Sequence, residues 1–357
     1  MDEKKTNPEA PAHHRRAHYS GKYPRHFAEK YKELNPEKYA DEQGKVAEKG
    51  RTPAGTHIPI MVDEILDVLR IRPGETGLDA TLGYGGHTQK MLERLAGRGH
   101  LYATDLDPIE SAKTRARLAS LGYGPEILTV LHQNYADLDR ITPGHPFDFI
   151  LADLGVSSMQ IDNPARGFTW KAEGPLDLRL DPTAGETAAE RLRALDREEL
   201  QGLLRENADE PFAAEIAEEV HSIFRKGGEI RTTTDLRKAI ETALPPMPAE
   251  ERKEAVKKSC QRVFQALRID VNSEFESLYA FLEKLPLVLA PGGRVAVLTF
   301  HSGEDRLVKK AFRQGERDGI YCAAAKEPVR PGREECWRNP RAHSTKLRWA
   351  VRSEKTL

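Results

Sequence analysis

The sequence has few cysteines and no long apolar run. Only three of its 357 residues are cysteine, at positions 260, 322 and 336, and this spacing does not fit a zinc knuckle or a redox pair. No apolar stretch approaches the roughly 18 residues of a membrane-spanning helix, and the charged N-terminus lacks the apolar segment of a secretory signal. These absences predict isolated reduced thiols, no metal, no membrane span and a cytoplasmic location.

Net charge is also nearly absent. The formal charge is −1 at pH 7 although 31% of the residues are charged, so the overall balance points to no acidic partner. The charges are unevenly placed, however. Residues 306–357 contain 14 Lys and Arg against 6 Asp and Glu, a local net charge of +8. This tail could contact phosphates, although on charge alone a solvated surface is an equally good interpretation.

Aliphatic residues are scarce before His57. Residues 1–56 have no sustained hydrophobic period, which predicts a disordered or loosely ordered polar arm. After it, strand and helix signals alternate, and this alternation indicates crossover units and a mostly parallel, Rossmann-like sheet in an α/β fold. The predicted strands are GLDATL (77–82), HLYATD (100–105), EILTVLHQN and FDFILADLG (147–155).

The alternation stops after Asp153. Helical segments without a convincing strand follow, and the sheet pattern then resumes with a helix, a PGG turn and a strand at 294–300. KLRWAVR at 346–352 alternates and predicts a last strand near the sheet edge. We therefore predict an arm (1–56), a first part of the core (57–160), an inserted helical domain (161–262) and a second part of the core (263–357).

A glycine-rich turn, Gly83-Tyr84-Gly85-Gly86-His87, separates the first strand from the first helix. Such a turn lets backbone amides approach a ligand, and Asp105 ends the second strand where a carboxylate can accept both ribose hydroxyls of a nucleoside. The third glycine of G-x-G-x-x-G is missing, which disfavours a pyrophosphate and favours S-adenosylmethionine (SAM) over a nicotinamide dinucleotide. A turn beside an ordinary strand-end Asp that binds nothing is the alternative.

Two further strand ends carry candidate residues. Tyr135 follows the third strand and could lie against an adenine ring, although core packing is the commoner role for a single tyrosine. Asp153 ends the fourth strand at the point where the strand order reverses. A carboxylate there faces the ligand crevice, so we predict that Asp153 belongs to the site.

Nine motifs follow one another between about His57 and Arg352. They are HIPIMVDEIL, LDATLGYGGHT, ATDLDP, ADLGVSSMQID, RGFTW, GPLDLRLDP, FQALRIDVNSEF, TFHSGEDRLVK and NPRAHSTKLR. In this order they resemble the ribosomal RNA small-subunit methyltransferase H family, the MraW-like enzymes. The resemblance implies a class I SAM-dependent methyltransferase fold interrupted by a helical domain. It also implies methylation of the exocyclic N4 of a cytidine in 16S ribosomal RNA, near the decoding centre of the small subunit.

The resemblance also implies which residues form the site. Its cofactor contacts carry over to Gly85, Gly86, His87, Asp105, Tyr135, Asp153 and Gln160. We predict that Asp153 is the catalytic residue, as acceptor or orienter of an N4 proton of a base that has left its stack. Four residues are predicted at the seams between core and insertion, as RNA contacts or, equally, as an interdomain network: Arg166, Phe168, Arg268 and Asn272. His301 and Asp305 are interpreted as capping or seam residues rather than metal ligands.

The chain departs from the family pattern at several places, and these bear on the RNA contact and the target base. They are Ala208 to Glu210, Lys258 to Arg262, Gly303, and Leu178 with Leu180. The alternatives to cytidine methylation are methylation of another RNA base or of a protein, and a ribosome-assembly factor that has lost catalysis. A nicotinamide oxidoreductase is a third, which the missing glycine disfavours.

Overall fold

The computed structural model describes residues 59–141 and 144–354, so the predicted arm lies outside the described residues. The described residues form one seven-stranded sheet with helices around it. The strands are β1 Thr76–Asp79, β2 His100–Asp105, β3 Leu128–His132, β4 Phe147–Asp153, β5 Leu289–Thr299, β6 Tyr321–Ala324 and β7 Lys346–Arg352.

The helices surround the sheet and fill the stretch between β4 and β5. They are α1 Val62–Leu69, α2 Gly86–Leu95, α3 Pro108–Ser120, α4 Ser158–Asp162, α5 Ala188–Ala194, α6 Arg197–Ala208, α7 Ala213–Arg225, α8 Thr233–Ala243, α9 Ala249–Val271, α10 Glu274–Val288, α11 Ser302–Arg317 and α12 Arg333–Arg338. Short 3-10 turns lie at Tyr135–Arg140, Pro164–Arg166 and Pro340–Ser344. Among these described helices, none combines the length and the apolarity that a membrane crossing requires.

The strand order is β3-β2-β1-β4-β5-β7-β6. The first five strands pair in parallel, whereas β7 runs antiparallel between β5 and β6. The predicted α/β class with a mostly parallel sheet is confirmed. Because the order reverses between β1 and β4, the carboxyl ends of β1, β2 and β4 border one crevice, the usual ligand position in such sheets.

Apolar side chains project from both faces of the central strand β4. Ile150 and Ala152 join one hydrophobic cluster, which includes residues of α10 and α11. Phe149 and Leu151 point the other way and join a second cluster with residues of α1 and α2. A strand covered on both faces needs apolar residues at nearly every position, which explains why FDFILAD lacks the alternation of a half-exposed strand.

The helices α5 to α9 enclose a third hydrophobic cluster, separate from the two that cover the sheet. It includes Phe168 at its start and Leu267 at its end. Helix α9 continues without interruption to Val271, so it runs through position 262, where the sequence pattern placed the end of the insertion. The helical cluster includes residues of this helix from Cys260 to Leu267, with Val271 packed against it, so the cluster extends beyond position 262.

The second half of the sheet differs from the sequence prediction in two details. Strand β5 begins at Leu289 rather than at 294, because Phe147 pairs with Leu289 and Phe149 with Arg294, which leaves the PGG residues bulged out of the strand. Strand β6 carries only four residues, YCAA, and pairs with β7 at the sheet edge. So short a segment has no periodicity that a sequence pattern could detect.

Candidate active site

The glycine turn and Asp105 meet directly at the crevice. Gly83 and Gly85 adopt φ of +48° and +71°, values that favour glycine. The Gly83 amide donates to Asp105 Oδ2 at 2.6 Å, and the Asp107 amide donates to Oδ1 at 2.8 Å. Burial raises the pKa of Asp105 to about 6 against the lowering effect of these two amides. The turn is thus fastened to the carboxylate predicted to bind ribose.

Close packing leaves no room for side chains in this turn. A Cβ atom added at Gly85 would lie 2.7 Å from Thr114 Cγ2, and one added at Gly86 would lie 2.3 Å from Pro59 Cγ. Real Cβ atoms do not approach neighbours so closely, and the backbone of the turn consequently remains bare. Helix α2 begins at Gly86, so its first amides point from this turn.

A second carboxylate, Asp79, lies beneath the turn and was not predicted. It is buried, and it accepts hydrogen bonds from Thr88 Oγ1 at 2.6 Å and from the Thr81 amide at 3.1 Å. Burial raises its pKa, while Thr88 and the charge of His87 act in the opposite direction. Thr81 also accepts from the Asp153 amide at 2.6 Å, which fixes the end of β4 to the end of β1.

His87 and Asp153 form the polar centre of the crevice. The buried imidazole donates from Nε2 to the Ile60 carbonyl at 2.9 Å, and its Nδ1 lies 3.4 Å from Asp153 Oδ2. Burial alone would lower the pKa of His87, but the hydrogen bond and charge of Asp153 outweigh it, so the pKa is raised. The Asp153 side chain is 30% exposed, and its Oδ1 has no hydrogen-bond partner among the described residues.

Gln160 and Arg166 meet on a residue that the sequence analysis did not single out. Asp107 Oδ2 accepts from Gln160 Nε2 at 3.0 Å and from Arg166 Nη1 at 2.5 Å. Its Oδ1 accepts from the amides of Ile109 and Glu110 and so caps α3. Asp107 follows Asp105 by two residues, in the loop between β2 and α3. The buried ion pair between Asp107 and Arg166 therefore joins this loop to the start of the insertion.

The seam residues bond mainly to protein groups. Asn272 accepts from the Leu180 amide at 2.7 Å and donates to the Leu178 carbonyl at 2.8 Å, which joins the two ends of the insertion. Arg268 forms a bidentate pair with Glu274, at 2.7 and 2.8 Å. Phe168 is buried in the helical cluster with the Arg166 guanidinium over its ring. The interdomain network, one of the two predicted roles, accounts for these contacts.

Tyr135 begins the 3-10 turn that follows β3 and packs against helix α10. Its ring packs edge-on against Phe281 of α10, and burial followed by the charges of Glu274 and Glu304 raises its pKa. Glu274, His301 and Glu304 lie close enough for their ligand atoms to surround one ion. Arg268 already binds both carboxylate oxygens of Glu274, however, so this group is an ion-pair network.

The two helix residues predicted as capping or seam residues have such contacts. His301 is the N-cap residue of α11, and its Nε2 lies 3.2 Å from Glu304 Oε1. Asp305 accepts from Lys346 at 2.8 Å and from the buried Arg348 at 2.6 Å, which ties α11 to β7. The first contact lies at the start of α11 itself, and only the Asp305 contacts join this helix to a strand.

The residues missed by the sequence analysis had only weak local signals. Asp107 precedes Pro108, a pattern that indicates a helix start and nothing about ligands. Asp79 belongs to a short buried strand in which a carboxylate is unusual, and that was the available clue. Glu274 and Glu304 stand in first turns of helices, where acidic residues are common.

The crevice has the features that SAM requires. Its bare glycine backbone, the strand-end carboxylate Asp105 and the buried unpaired oxygen of Asp153 offer, respectively, donors, an acceptor for hydroxyls and an acceptor for a further donor. Gln160 is joined to this site by its hydrogen bond to Asp107, and Tyr135 is held by its ring contact with Phe281. The donor and acceptor set therefore fits a nucleoside with a polar amino-acid tail.

The comparisons with known proteins agree. Residues 54–353 match the MraW methylase family. The chain is 62% identical over 343 residues to Ribosomal RNA small subunit methyltransferase H 1 of Agathobacter rectalis, covering 96% of this chain and 98% of the relative. It is 59% identical over 349 residues to the protein of the same name from Lachnoclostridium phytofermentans, covering 98% and 95%. Among solved structures, an rRNA methylase from Streptococcus thermophilus aligns with a TM-score of 0.38 and 14% identity, over 82% of this chain and 93% of that chain.

The match to the family model covers more than four fifths of the chain and includes the glycine turn, Asp105 and Asp153. The resemblance seen in the nine motifs is thereby confirmed, as are the class of enzyme and the methyl donor. The chain belongs to the MraW methylase family and is a SAM-dependent methyltransferase of the class I fold.

Proposed function

We propose that this chain methylates the exocyclic N4 of a cytidine in 16S ribosomal RNA of the small subunit, in the cytoplasm. The names of the relatives support small-subunit ribosomal RNA as the substrate. The observation that carries the chemistry is Asp153, a partly exposed carboxylate whose Oδ1 has no partner among the described residues while His87 engages Oδ2. An acceptor so placed suits a substrate that brings an N–H donor.

An amino group conjugated to a pyrimidine ring is a weak nucleophile, because its lone pair is delocalised. When bound, SAM supplies an electrophilic methyl group. Asp153 Oδ1 accepts a hydrogen bond from the amine, which favours the pyramidal nitrogen that can react, and it takes up the proton that the nitrogen loses. Holding the amine in line is worth roughly 7 to 11 kcal/mol, so orientation is the larger part of this role.

His87 keeps Asp153 in position for this task. Ile60 holds the imidazole from one side, and the Thr81 hydroxyl holds the Asp153 amide from the other. The Asp153 carboxylate therefore cannot turn away without breaking a buried contact. After it, the chain continues through Gly155, with φ of +90°, into the capping box of Ser157 and Gln160, so the loop beside the amine is short and fixed.

We propose further that residues 161–262 form an inserted helical domain that helps to position folded RNA over the crevice. The separate hydrophobic cluster of α5 to α9 supports this division. Structured RNA is recognised through its shape and backbone, whereas a base is read only when it is unstacked. The proposed substrate therefore combines an RNA scaffold with one extruded cytidine, and a small free nucleoside lacks the first of these.

The test uses purified protein, SAM labelled in its methyl group, and small ribosomal subunits from cells lacking this methyltransferase gene. We expect N4-methylcytidine after digestion, detected by chromatography and mass spectrometry. Free cytidine and a short RNA hairpin should give little product. The matched control is the Asp153→Asn variant, which keeps the size of the side chain and removes its charge.

Each other product identifies a different function. Label on another nucleoside would show that the target base is not cytidine N4. Label on protein alone would show that the substrate is a protein and not RNA. Comparable turnover of free cytidine would contradict recognition of folded RNA. Wild-type protein that binds SAM and labels none of these substrates would support the alternative of an assembly factor.

A further inference from the structure

The segment between β6 and β7 borders the crevice, and we call residues 326–346 the rim segment. Strand β7 is antiparallel to β5, with Lys346 opposite Thr299 at the carboxyl end of β5. The start of β7 therefore lies at the same edge of the sheet as Asp153, which pairs with Leu298. Because the rim segment ends at Lys346, the first residue of β7, its last residues must lie at this edge.

Two side-chain contacts tie the rim segment to the groups that surround the proposed transfer site. Glu335 of α12 accepts from the Met61 amide at 2.8 Å, and the neighbouring Ile60 carbonyl accepts from His87. Arg341 donates to Asp162 at 2.9 Å, in the short helix α4 that also carries Gln160. These contacts tie the rim segment to the His87 side of the crevice through α12 and to the Gln160 side through the 3-10 turn that follows it.

The exposed surface of the rim segment is basic and carries one large aromatic ring. The segment contains six Lys and Arg and three Asp and Glu, a net charge of +3. Arg338, Arg341 and Lys346 are paired with Glu334, Asp162 and Asp305, respectively. The exposed cations that remain are Lys326, Arg330 and Arg333. Trp337 is 71% exposed, although burying an indole is usually strongly favourable.

Helical spacing places Arg333 and Trp337 on one face of α12, because residues four apart are neighbours on a helix surface. Proteins that bind single-stranded nucleic acids combine aromatic rings with cations: the ring stacks on a base and the cation contacts a phosphate. A protein partner would instead favour a larger apolar patch around the ring, and the neighbours of Trp337 along the chain are charged or polar.

We infer that Trp337 and Arg333 form a docking surface for an RNA nucleotide flanking the target cytidine, with the indole stacking on its base. The inference rests on the proposed function and adds to it the place where the RNA strand enters. Stacking is insensitive to base identity, since every base has a flat face. The surface would thus guide the strand to the crevice and would leave the choice of target to the crevice itself.

The test compares steady-state methylation of unmethylated small ribosomal subunits by wild-type protein and three variants. Trp337→Ala should raise KM by about tenfold or more, with kcat and SAM affinity unchanged. Trp337→Phe, which retains a stacking ring, should recover most of that loss. Leu287→Ala is the matched control, because Leu287 is 72% exposed and precedes β5 at the opposite edge of the sheet; its KM should equal that of wild type.

A fourth variant separates the cation from the ring. Arg333→Ala should lower the slope of log KM against log salt by roughly 0.7 to 0.9, the value for one phosphate contact. Wild-type KM for Trp337→Ala, or a Phe variant as impaired as the Ala variant, would overturn the inference. So would a KM increase that comes with lost SAM binding, since the residue would then be structural. If wild-type protein methylates no RNA, the proposed function fails instead.

Discussion

His87 Nδ1 lies 3.4 Å from Asp153 Oδ2, while Nε2 of the same ring faces the Ile60 carbonyl. A carbonyl oxygen can only accept, so Nε2 carries a hydrogen. Nδ1 faces an oxygen of Asp153. Two acceptor atoms repel each other, so this contact is favourable only when a hydrogen lies between them. Burial acts to lower the pKa of His87, but the hydrogen bond and the charge of Asp153 outweigh it and raise that pKa.

The first prediction concerns the charge of Asp153. Asp153→Asn should lower the single-turnover rate of methyl transfer about 10- to 150-fold, which corresponds to a charge-assisted hydrogen bond of roughly 1.5 to 3 kcal/mol. His87→Gln should cost less, because its amide can still donate to Ile60 while Asp153 keeps its acceptor oxygen. Rapid quench with preformed enzyme, SAM and RNA measures this step. A wild-type rate in Asp153→Asn would remove that carboxylate from the chemistry.

The second prediction concerns pH and Asp105. Burial raises the pKa of this carboxyl to about 6, and ribose hydroxyls, as donors, bind its ionised form. SAM binding must therefore expel a proton below that pKa, so affinity should fall by up to about tenfold per unit as pH decreases from about 6 to 5. It should be nearly constant above about pH 7. Calorimetric titration across this range gives the affinities.

Asp105→Asn is the control for this pH dependence. The amide cannot ionise, so the variant should bind SAM weakly, by about 1.5 to 3 kcal/mol, and without the change between pH 5 and 6. The buried groups Asp79 and His87 remain in the variant and provide the background. If the variant keeps the wild-type pH profile, one of those two groups, and not Asp105, controls cofactor affinity.

The arrangement of the crevice could be predicted from the sequence because it depends on connectivity. Buried parallel strands are nearly all apolar, so a carboxylate at the end of one, such as Asp105 or Asp153, is visible in the pattern. The strand order then brings these ends to one edge. The glycines of the turn are visible in the sequence too, because a side chain at Gly85 or Gly86 would collide with Thr114 or Pro59.

The partners of these side chains could not be predicted, because they lie far apart in sequence. Asp107 meets Gln160 and Arg166, 53 and 59 residues away, and no local period connects them. The sequence shows only that Asp107 can cap a helix. The same limit applies to Tyr135, whose neighbours on α10 follow from the packing of that helix against the 3-10 turn.

The third prediction separates the two roles of Asp107. Asp107→Ala removes the cap of α3 and leaves Arg166 as an unpaired cation that is nearly buried, so it should lower the free energy of unfolding by about 3 to 5 kcal/mol. Asp107→Asn keeps a capping oxygen and removes only the charge, so its loss should be smaller. Chemical denaturation of both variants measures the difference.

A double-mutant cycle checks that the loss comes from the ion pair. Arg166→Met removes the cation and keeps the length of the side chain, so Asp107→Asn should cost less in this background than in wild type. The expected coupling is about 0.5 to 3 kcal/mol, as for residues in direct contact. Additive effects would mean that the buried contact contributes nothing to holding the insertion against the cofactor loop.

The last prediction concerns Ser259, a departure from the family pattern, and the buried Glu210 that it contacts. Ser259, in the stretch that replaces the usual residues before FQA, donates from Oγ to Glu210 Oε1 at 2.9 Å. Glu210 ends the other departing stretch, is 2% exposed, and also accepts from the Phe212 amide at 3.0 Å. Its second oxygen has no hydrogen-bond partner among the residues that the structure describes. The hydroxyl that this departure introduces is therefore buried against Glu210, next to the helical cluster that contains Cys260.

Ser259→Ala should then lower the free energy of unfolding by about 1.5 to 3 kcal/mol, because a buried carboxylate loses one of its two donors. Glu210→Gln removes the charge, and in that background Ser259→Ala should cost only about 0.5 to 1.5 kcal/mol, the value for a neutral hydrogen bond. Neither change should alter KM for the RNA, since both side chains are buried. A raised KM in a variant that unfolds like wild type would instead assign this departure to substrate recognition, and the helical cluster would then take part in choosing the target base.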